Sequence, residues 1–417
     1  MVAFVCHGCG AAVDAAVRLP FACPKAGDAG DHVLVPAMDG LGLTVGTEDN
    51  PFLRYRRWLS PYRLGLPDAE WVEIVSDLDA AVAAVDERSF AVTPMTQQPG
   101  LAAAVGIRSI WVKDETGGVS GSHKARHLMG VMLYLLVLER VGLPVGQGLR
   151  ARRLAIASCG NAALAAAVIA RAADWALDVF IPGDAEPGVA RRLRELGAVV
   201  TVCARRPGDS GDPCVRAFRA ALVSGAIPFG VLGPDNGLAI EGVRTLAFEM
   251  AEQAGAIDSV FVQVGGGALA SGLAQGFAMA VGAGVMQRPP RLVAVQTAGC
   301  APLARAWARV EGVDLAVAAR QRSRFMWPWE SEPVSLAHGI LDDETYDWWE
   351  VARAMRETGG GPVVVDEDAI ACAHRLARRE TGIAASFTGT AGLAGVLSAG
   401  RVDETVAVVF SGAERDG

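Results

Sequence analysis

From about residue 105 onward, short uninterrupted apolar runs alternate with longer segments of helical spacing. Residues 109–113 read as a strand and 125–141 as a helix, then 153–158 as a strand and 161–176 as a helix. Further strands are expected at 178–182, 199–204, 259–264, 291–297, 362–365 and 404–410, interleaved with helices at 188–197, 213–225, 269–281, 302–310 and 367–381. Strands without a polar face, each followed by a helix, predict parallel sheets covered on both sides. The strand number suffices for two sheets, so the expected class is α/β with two lobes, each a mainly parallel sheet flanked by helices. The larger lobe is expected to comprise residues 46–124 and 233–417, the smaller one 125–232, and residues 1–45 an N-terminal extension. Polar, glycine-rich stretches at 204–213 and 232–238 read as hinges. The alternation breaks near residue 324, and four tryptophans fall among residues 327–349. That segment reads either as an irregular loop over a cleft or subunit contact, or as aromatic packing in a core.

Composition narrows the picture. A chain of 417 residues, 51% of them hydrophobic, readily buries two cores. The net charge of −8 argues against non-specific binding to nucleic acid or to an anionic membrane surface. The first residues do not read as a secretory signal, and the longest apolar run, 128–138, is too short for a membrane span. A cytoplasmic protein with neither a nucleic-acid nor a membrane partner is expected. The eight scattered cysteines read as thiols.

In open α/β sheets ligands sit at the carboxyl ends of strands, where helix N-termini point at them. Three turns have the right make-up: residues 121–126 with Lys124, residues 157–163 with Asn161, and the glycine run 265–267. Gly265, Gly267 and Ala270 satisfy G-x-G-x-x-A, but the strand that follows ends in Gln296 and Thr297, with no acid for a ribose. Residues 265–269 therefore read as a cup of backbone N–H groups for a phosphate. Glycines placed for tight strand–helix packing are the alternative.

The order of these motifs, with the segment 241–250 between them, resembles the fold-type II pyridoxal-phosphate (PLP) enzymes. This family includes threonine synthase, threonine and serine dehydratases, cysteine synthase and the tryptophan synthase β subunit. The resemblance spans about residues 50–416 and starts at a threonine-synthase-like stretch, 50–59. It implies that Lys124 forms the Schiff base with PLP, its pKa lowered by burial and by nearby cations such as Arg126. It implies that His123 adjoins the cofactor phosphate, that Asn161 bonds the phenolic oxygen, and that Gly265, Gly266, Gly267, Ala268 and Leu269 hold the phosphate. The loop Ser158, Cys159, Gly160, Asn161 and Ala162 corresponds to the grip on the substrate α-carboxylate. Ser411 falls beside the pyridine nitrogen. A hydroxyl there leaves the ring a weaker electron sink than a carboxylate would, which favours elimination or replacement at Cβ or Cγ over transamination.

The pattern departs from its relatives around the substrate. His123 and Ala125 stand where threonine synthases favour Phe and Asp, Ala162 where His or Thr is common, and Cys159 where Ser or Thr is common. Cys159 reads as a small buried residue, Glu241 as a cleft-side carboxylate or a helix cap, and Ser386, Thr388 and Thr390 as active-site neighbours or caps. A threonine-synthase-like reaction is expected. A threonine/serine ammonia-lyase, a β-replacement synthase and, in another class, a nicotinamide-dependent oxidoreductase are the alternatives. The partner is a small amino acid, and by resemblance the enzyme is a homodimer. The N-terminus is similar to the zinc ribbon that precedes many threonine synthases: Cys6, Cys9 and Cys23 stand in place, but Ala26 replaces the fourth cysteine. Asp28 or His32 would have to substitute, or the site has lost its metal.

Overall fold

The computed structural model describes residues 3–27, 30–37, 44–206, 211–400 and 403–415. Among them the strands form three sheets. The first is antiparallel and N-terminal, with order β2-β1-β3, where β1 is Ala3–Cys6, β2 Ala12–Asp14 and β3 Leu34–Pro36. The largest contains β4 (Met95–Gln97), β5 (Ser109–Asp114), β10 (Ser259–Gln263), β11 (Arg291–Thr297), β12 (Gly361–Val365) and β13 (Thr405–Phe410). Its order is β12-β11-β10-β13-β5-β4, parallel throughout except for β4 at the edge. The third sheet, β8-β7-β6-β9, is parallel and comprises β6 (Leu154–Ala157), β7 (Leu177–Pro182), β8 (Val199–Cys203) and β9 (Ile227–Pro228).

The two parallel sheets meet the expectation drawn from continuous apolar strands: every residue of β10, and all but the first of β13, is buried. The helices behind the motif-bearing turns lie within a few residues of where periodicity put them, at Lys124–Val141, Asn161–Ala172 and Ala268–Gly282. The first of these is buried from Ala125 almost to its end and stops at Gly142, whose left-handed φ of 72° closes the C-terminus. Helix Asp68–Asp86 escaped the sequence reading, whereas helices Arg244–Gln253 and Phe387–Ala399 were anticipated only as helix starts near Glu241 and Ser386. Helix Asp68–Asp86 packs on helix Asn161–Ala172 through Trp71, Val75, Leu78 and Val82, and so joins the core around the smaller sheet. The tryptophan-rich segment divides between the two readings: Trp327 and Trp329 lie in irregular chain with Arg305 over their rings, whereas Trp348 and Trp349 open a buried helix, Trp348–Thr358. Among the described residues no single helix is long and apolar enough to cross a membrane.

A buried ion network joins the pieces. Arg126 donates to Glu115 Oε2 at 2.8 Å and to Glu249 Oε1 at 2.5 Å, and Lys113 donates to Glu249 Oε2 at 2.6 Å. Thr93 Oγ1 donates to Glu115 at 2.5 Å, and Lys113 also donates to the Thr93 carbonyl at 2.6 Å. β5 thus supplies Lys113, its C-terminal end Glu115, the first turn of helix Lys124–Val141 Arg126, and helix Arg244–Gln253 Glu249. Burial opposes ionisation of Glu249, but Arg126 and Lys113 outweigh it and hold the carboxylate below its usual range. Removing one member leaves the others buried and uncompensated. Glu249→Leu is therefore expected to lower stability by about 3–5 kcal/mol, read as a shift of the urea midpoint; a shift within error would show that the pairs are dispensable.

Candidate active site

The Lys124 turn is built by strain and burial. Ser120 adopts a left-handed φ of 55°, costly for a residue with a Cβ, and its N–H is held by Asp86 Oδ2 at 2.7 Å. The chain then enters the helix at His123 and Lys124. No hydrogen bond engages the Lys124 amine among the described residues. Burial lowers its pKa, and only the fields of Asp342 and Asp347 work the other way. Arg126, expected from the sequence to lower it too, is not among the groups that act on Lys124, whereas it does lower the pKa of His123.

Two neutral histidines flank the amine. The backbone N–H of His123 donates to Ser411 Oγ at 3.0 Å, and its Nδ1 lies 2.5 Å from the same oxygen. Ser411 Oγ accepts from the backbone N–H and pairs with Nδ1 as donor or acceptor according to the ring's tautomer. His127 Nδ1 donates to the Ala239 carbonyl at 2.6 Å, leaving its Nε2 as an acceptor. Both Nε2 atoms, and Ser122 Oγ beside them, are buried without partners. Burial, then Lys124, lowers the His123 pKa well below its usual value and that of His127 to about 3.

The second turn, Ser158 to Ala162, follows β6 and opens helix Asn161–Ala172. Asn161 Oδ1 accepts from Arg415 at 2.7 Å, and the chain after β13 passes so close that a Cβ on Gly412 would lie 2.8 Å from Asn161 Nδ2. Cys159 is exposed, which corrects the expectation of a buried residue: it sits on the open tip of a turn whose apolar neighbours point into the sheet. Its thiol is pushed up to about 11 by desolvation, then by Asp184, Asp212 and Asp342.

The third turn follows β10. Gly267 takes φ 97°, which a glycine meets without strain, and the helix begins at Ala268. Leaning on this cup is the tryptophan-rich segment read from the sequence as a loop over a cleft or as core packing, though its acids were not singled out. A Cβ on Gly265 would lie 2.3 Å from Asp342 Oδ2, one on Gly266 would lie 3.2 Å from the Tyr346 ring, and the Asp347 N–H donates to the Gly266 carbonyl at 2.9 Å. The Asp342 carboxyl thus lies against a glycine turn at a helix start. Burial raises the Asp342 pKa to about 6, against the pull of Lys124. Burial also raises that of Asp347, whose two oxygens are unpartnered, well above normal. No local motif announces these acids, because they come from irregular chain remote from every turn they touch.

Other expected residues resolve as structural. Glu241 does not cap helix Arg244–Gln253: it is buried and accepts from the Ser60 N–H at 2.6 Å and Ser60 Oγ at 2.5 Å. Ser386 caps helix Phe387–Ala399, and Thr388 Oγ1 accepts from the Gly339 N–H at 2.9 Å. At the N-terminus, Cys6, Cys9, Cys23 and His32 offer ligand atoms all within 4.8 Å of one another, and Asp28 lies outside the described residues.

A buried lysine at a strand-to-helix turn, a second helix start at Asn161 and a glycine turn before a third helix, on two parallel sheets, have the make-up of an α/β enzyme with a phosphate-bearing cofactor. The sequence pattern of the family described as pyridoxal-phosphate dependent enzyme matches residues 87–412, and the chain belongs to that family. It is 25% identical over 323 residues to a threonine synthase of Methanocaldococcus jannaschii, covering 76% of this chain and 72% of that one. It is 26% identical over 347 residues to a threonine synthase of Synechocystis, covering 82% and 78%. The solved structure of processed threonine deaminase isoform 2 from Solanum lycopersicum shares the fold, with TM-score 0.61 at 18% identity over 92% of this chain and 96% of that one.

The residues present fit PLP. A glycine turn at a helix start offers backbone N–H groups to a phosphate, and His123 Nε2 is buried and unpartnered beside the lysine. The neutrality of the histidines has a measurable consequence. Between pH 6.5 and about 3 the unfolded chain protonates His127 while the folded one does not, so its contribution makes stability rise with pH across that window. His127→Asn is expected to flatten the slope of unfolding free energy against pH by up to about 1.4 kcal/mol per pH unit there, measured by urea unfolding at several pH values. An unchanged slope would mean that the folded protein protonates His127 normally.

Proposed function

We propose that the protein catalyses PLP-dependent elimination or replacement at the β or γ carbon of an amino acid, with a threonine-synthase-like reaction first among the candidates. The observation that carries this reading is the Lys124 amine, depressed in pKa by burial and unengaged, at the start of helix Lys124–Val141. PLP, when bound, holds the substrate amine and stabilises negative charge at Cα. Lys124 is the base that removes the Cα proton, and its low pKa keeps a useful fraction of the amine neutral. The N-terminus of helix Asn161–Ala172 binds the α-carboxylate through backbone N–H groups, with Asn161 at the cofactor. The cup from Gly265 to Leu269 takes the phosphate. Ser411, held by His123, stands at the ring nitrogen in place of a carboxylate. The threonine synthases among its relatives support the reaction, and Ala125, where they favour Asp, favours an ammonia-lyase as the second reading.

Purified protein with PLP is expected to show a visible absorbance band that Lys124→Ala abolishes; a wild-type protein that stays colourless overturns the assignment. Phosphate release from O-phosphohomoserine identifies the synthase, whereas keto acid and ammonia from threonine or serine, with no phosphate, identify the lyase.

We further propose that Cys6, Cys9, Cys23 and His32 hold zinc. Three thiolates and an imidazole form a common closed tetrahedral set, and their convergence within 4.8 Å supports it. About one zinc per chain is expected by elemental analysis, with loss in Cys9→Ser and His32→Ala; a wild-type protein purified without reductant stripping or chelator that contains none sinks this site.

A further inference from the structure

Asn161 is the first residue of helix Asn161–Ala172, and the group that fixes its side chain comes from the other end of the chain. Arg415, shortly after β13, donates from Nη1 to Asn161 Oδ1 at 2.7 Å and from Nη2 to the Ser120 carbonyl at 3.0 Å. A guanidinium can only donate, so the amide atom it touches must be the oxygen. Nδ2 lies against the chain at Gly412, where a Cβ would come within 2.8 Å of it. Gly412 takes a left-handed φ of 96°, so the chain leaving Ser411 passes the amide more closely than a side chain would allow. Among the described residues Nδ2 has no acceptor in the protein.

Arg415 has an anchor of its own. The Ser120 carbonyl belongs to the strained turn before Lys124, whose N–H is held by Asp86. No carboxylate contacts the guanidinium among the described residues, and Glu186 and Asp86 reach it only through their fields. An exposed arginine commonly pairs with an acid; this one spends both terminal nitrogens on neutral oxygens, one on the lysine turn and one on Asn161.

We propose that Arg415 is a positioning residue for the cofactor: it fixes the Asn161 amide so that Nδ2, not Oδ1, is offered to the phenolic oxygen of PLP. The inference rests on the PLP reading above and adds to it a residue outside the three motif-bearing turns. An asparagine amide has two orientations of nearly equal shape, and only one of them offers a hydrogen to an ionised oxygen. The reversed orientation would set the NH2 group against the guanidinium, donor to donor, and would forfeit a charge-assisted bond. An acceptor bond at Oδ1 also polarises the amide and strengthens Nδ2–H as a donor. Support of this kind, from a residue that itself touches no substrate, is what holds a site in one geometry. Asn161 and Arg415 are 254 positions apart, so no motif links them.

The test is titration of the full-length protein, freed of PLP, with PLP, following the visible spectrum at several pH values. Wild type is compared with Arg415→Ala, Asn161→Ala, the double variant and Arg415→Lys. Losing a donor to an ionised oxygen is expected to weaken PLP binding by about tenfold in Arg415→Ala. It also shifts absorbance from the longer-wavelength form, in which the phenolic oxygen is ionised, toward the shorter. Asn161→Ala is expected to do the same, the double variant to lose nothing more, and Arg415→Lys, which keeps a charged donor, to recover part of the loss. A wild-type spectrum and affinity in Arg415→Ala would overturn the proposal and leave the PLP assignment intact. Losses that multiply in the double variant would also overturn it, because Arg415 would then act independently of Asn161. A colourless wild-type protein would remove the PLP assignment itself, and this inference with it.

Discussion

The position of the reactive amine rests on Arg126. One side chain, two residues from Lys124, donates to carboxylates from two separate parts of the larger sheet's surroundings, Glu115 after β5 and Glu249 on helix Arg244–Gln253. All are buried, so water cannot substitute for any member, and the network has little freedom to shift. The first turn of helix Lys124–Val141 is fixed against the sheet in consequence. The strained Ser120 upstream and the His123–Ser411 contact downstream act on the same short stretch. A Schiff-base lysine must meet its partner atom in one geometry, and a turn held from three directions supplies it.

Electrostatics in the cleft follow from the same burial. Desolvation lowers the Lys124 pKa, and the histidines beside it are kept uncharged. The carboxyls of Asp342 and Asp347 respond in the opposite sense. Low dielectric pushes amine and acids alike toward their neutral forms. Asp342 lies against the glycine cup, at a helix start whose backbone N–H groups favour an anion, whether it belongs to the chain or to a cofactor.

Much of this was legible in the linear chain where the physics is local. The three ligand turns each consist of a strand, a short glycine- or serine-containing turn and a helix start, all contiguous. Lys124, Asn161 and the run from Gly265 to Leu269 could therefore be singled out from spacing and resemblance. Helix Asp68–Asp86 carried a readable stripe at Trp71, Ile74, Val75, Leu78 and Val82, and its omission was a failure to apply the period rather than a missing signal. Other features had no local signature. Glu249 reads as one more charge on a helix, and Asp342 and Asp347 as polar residues in an irregular stretch. Cys159 was misjudged because a free cysteine is a commonly buried residue type, while burial depends on where the turn points.

The sequence by itself determined the α/β class and the order of the motif-bearing turns, because each is set by the period of apolar positions or by residues adjacent in the chain. It also supplied three metal-ligand candidates and two choices for a fourth. Only the tertiary structure brings His32 to the three cysteines and shows which carboxylates pair with Arg126. The acids that lean on the glycine cup were likewise decided there. Those outcomes depend on contacts between segments tens to hundreds of residues apart, and on burial, which converts an ordinary charge into a constrained one.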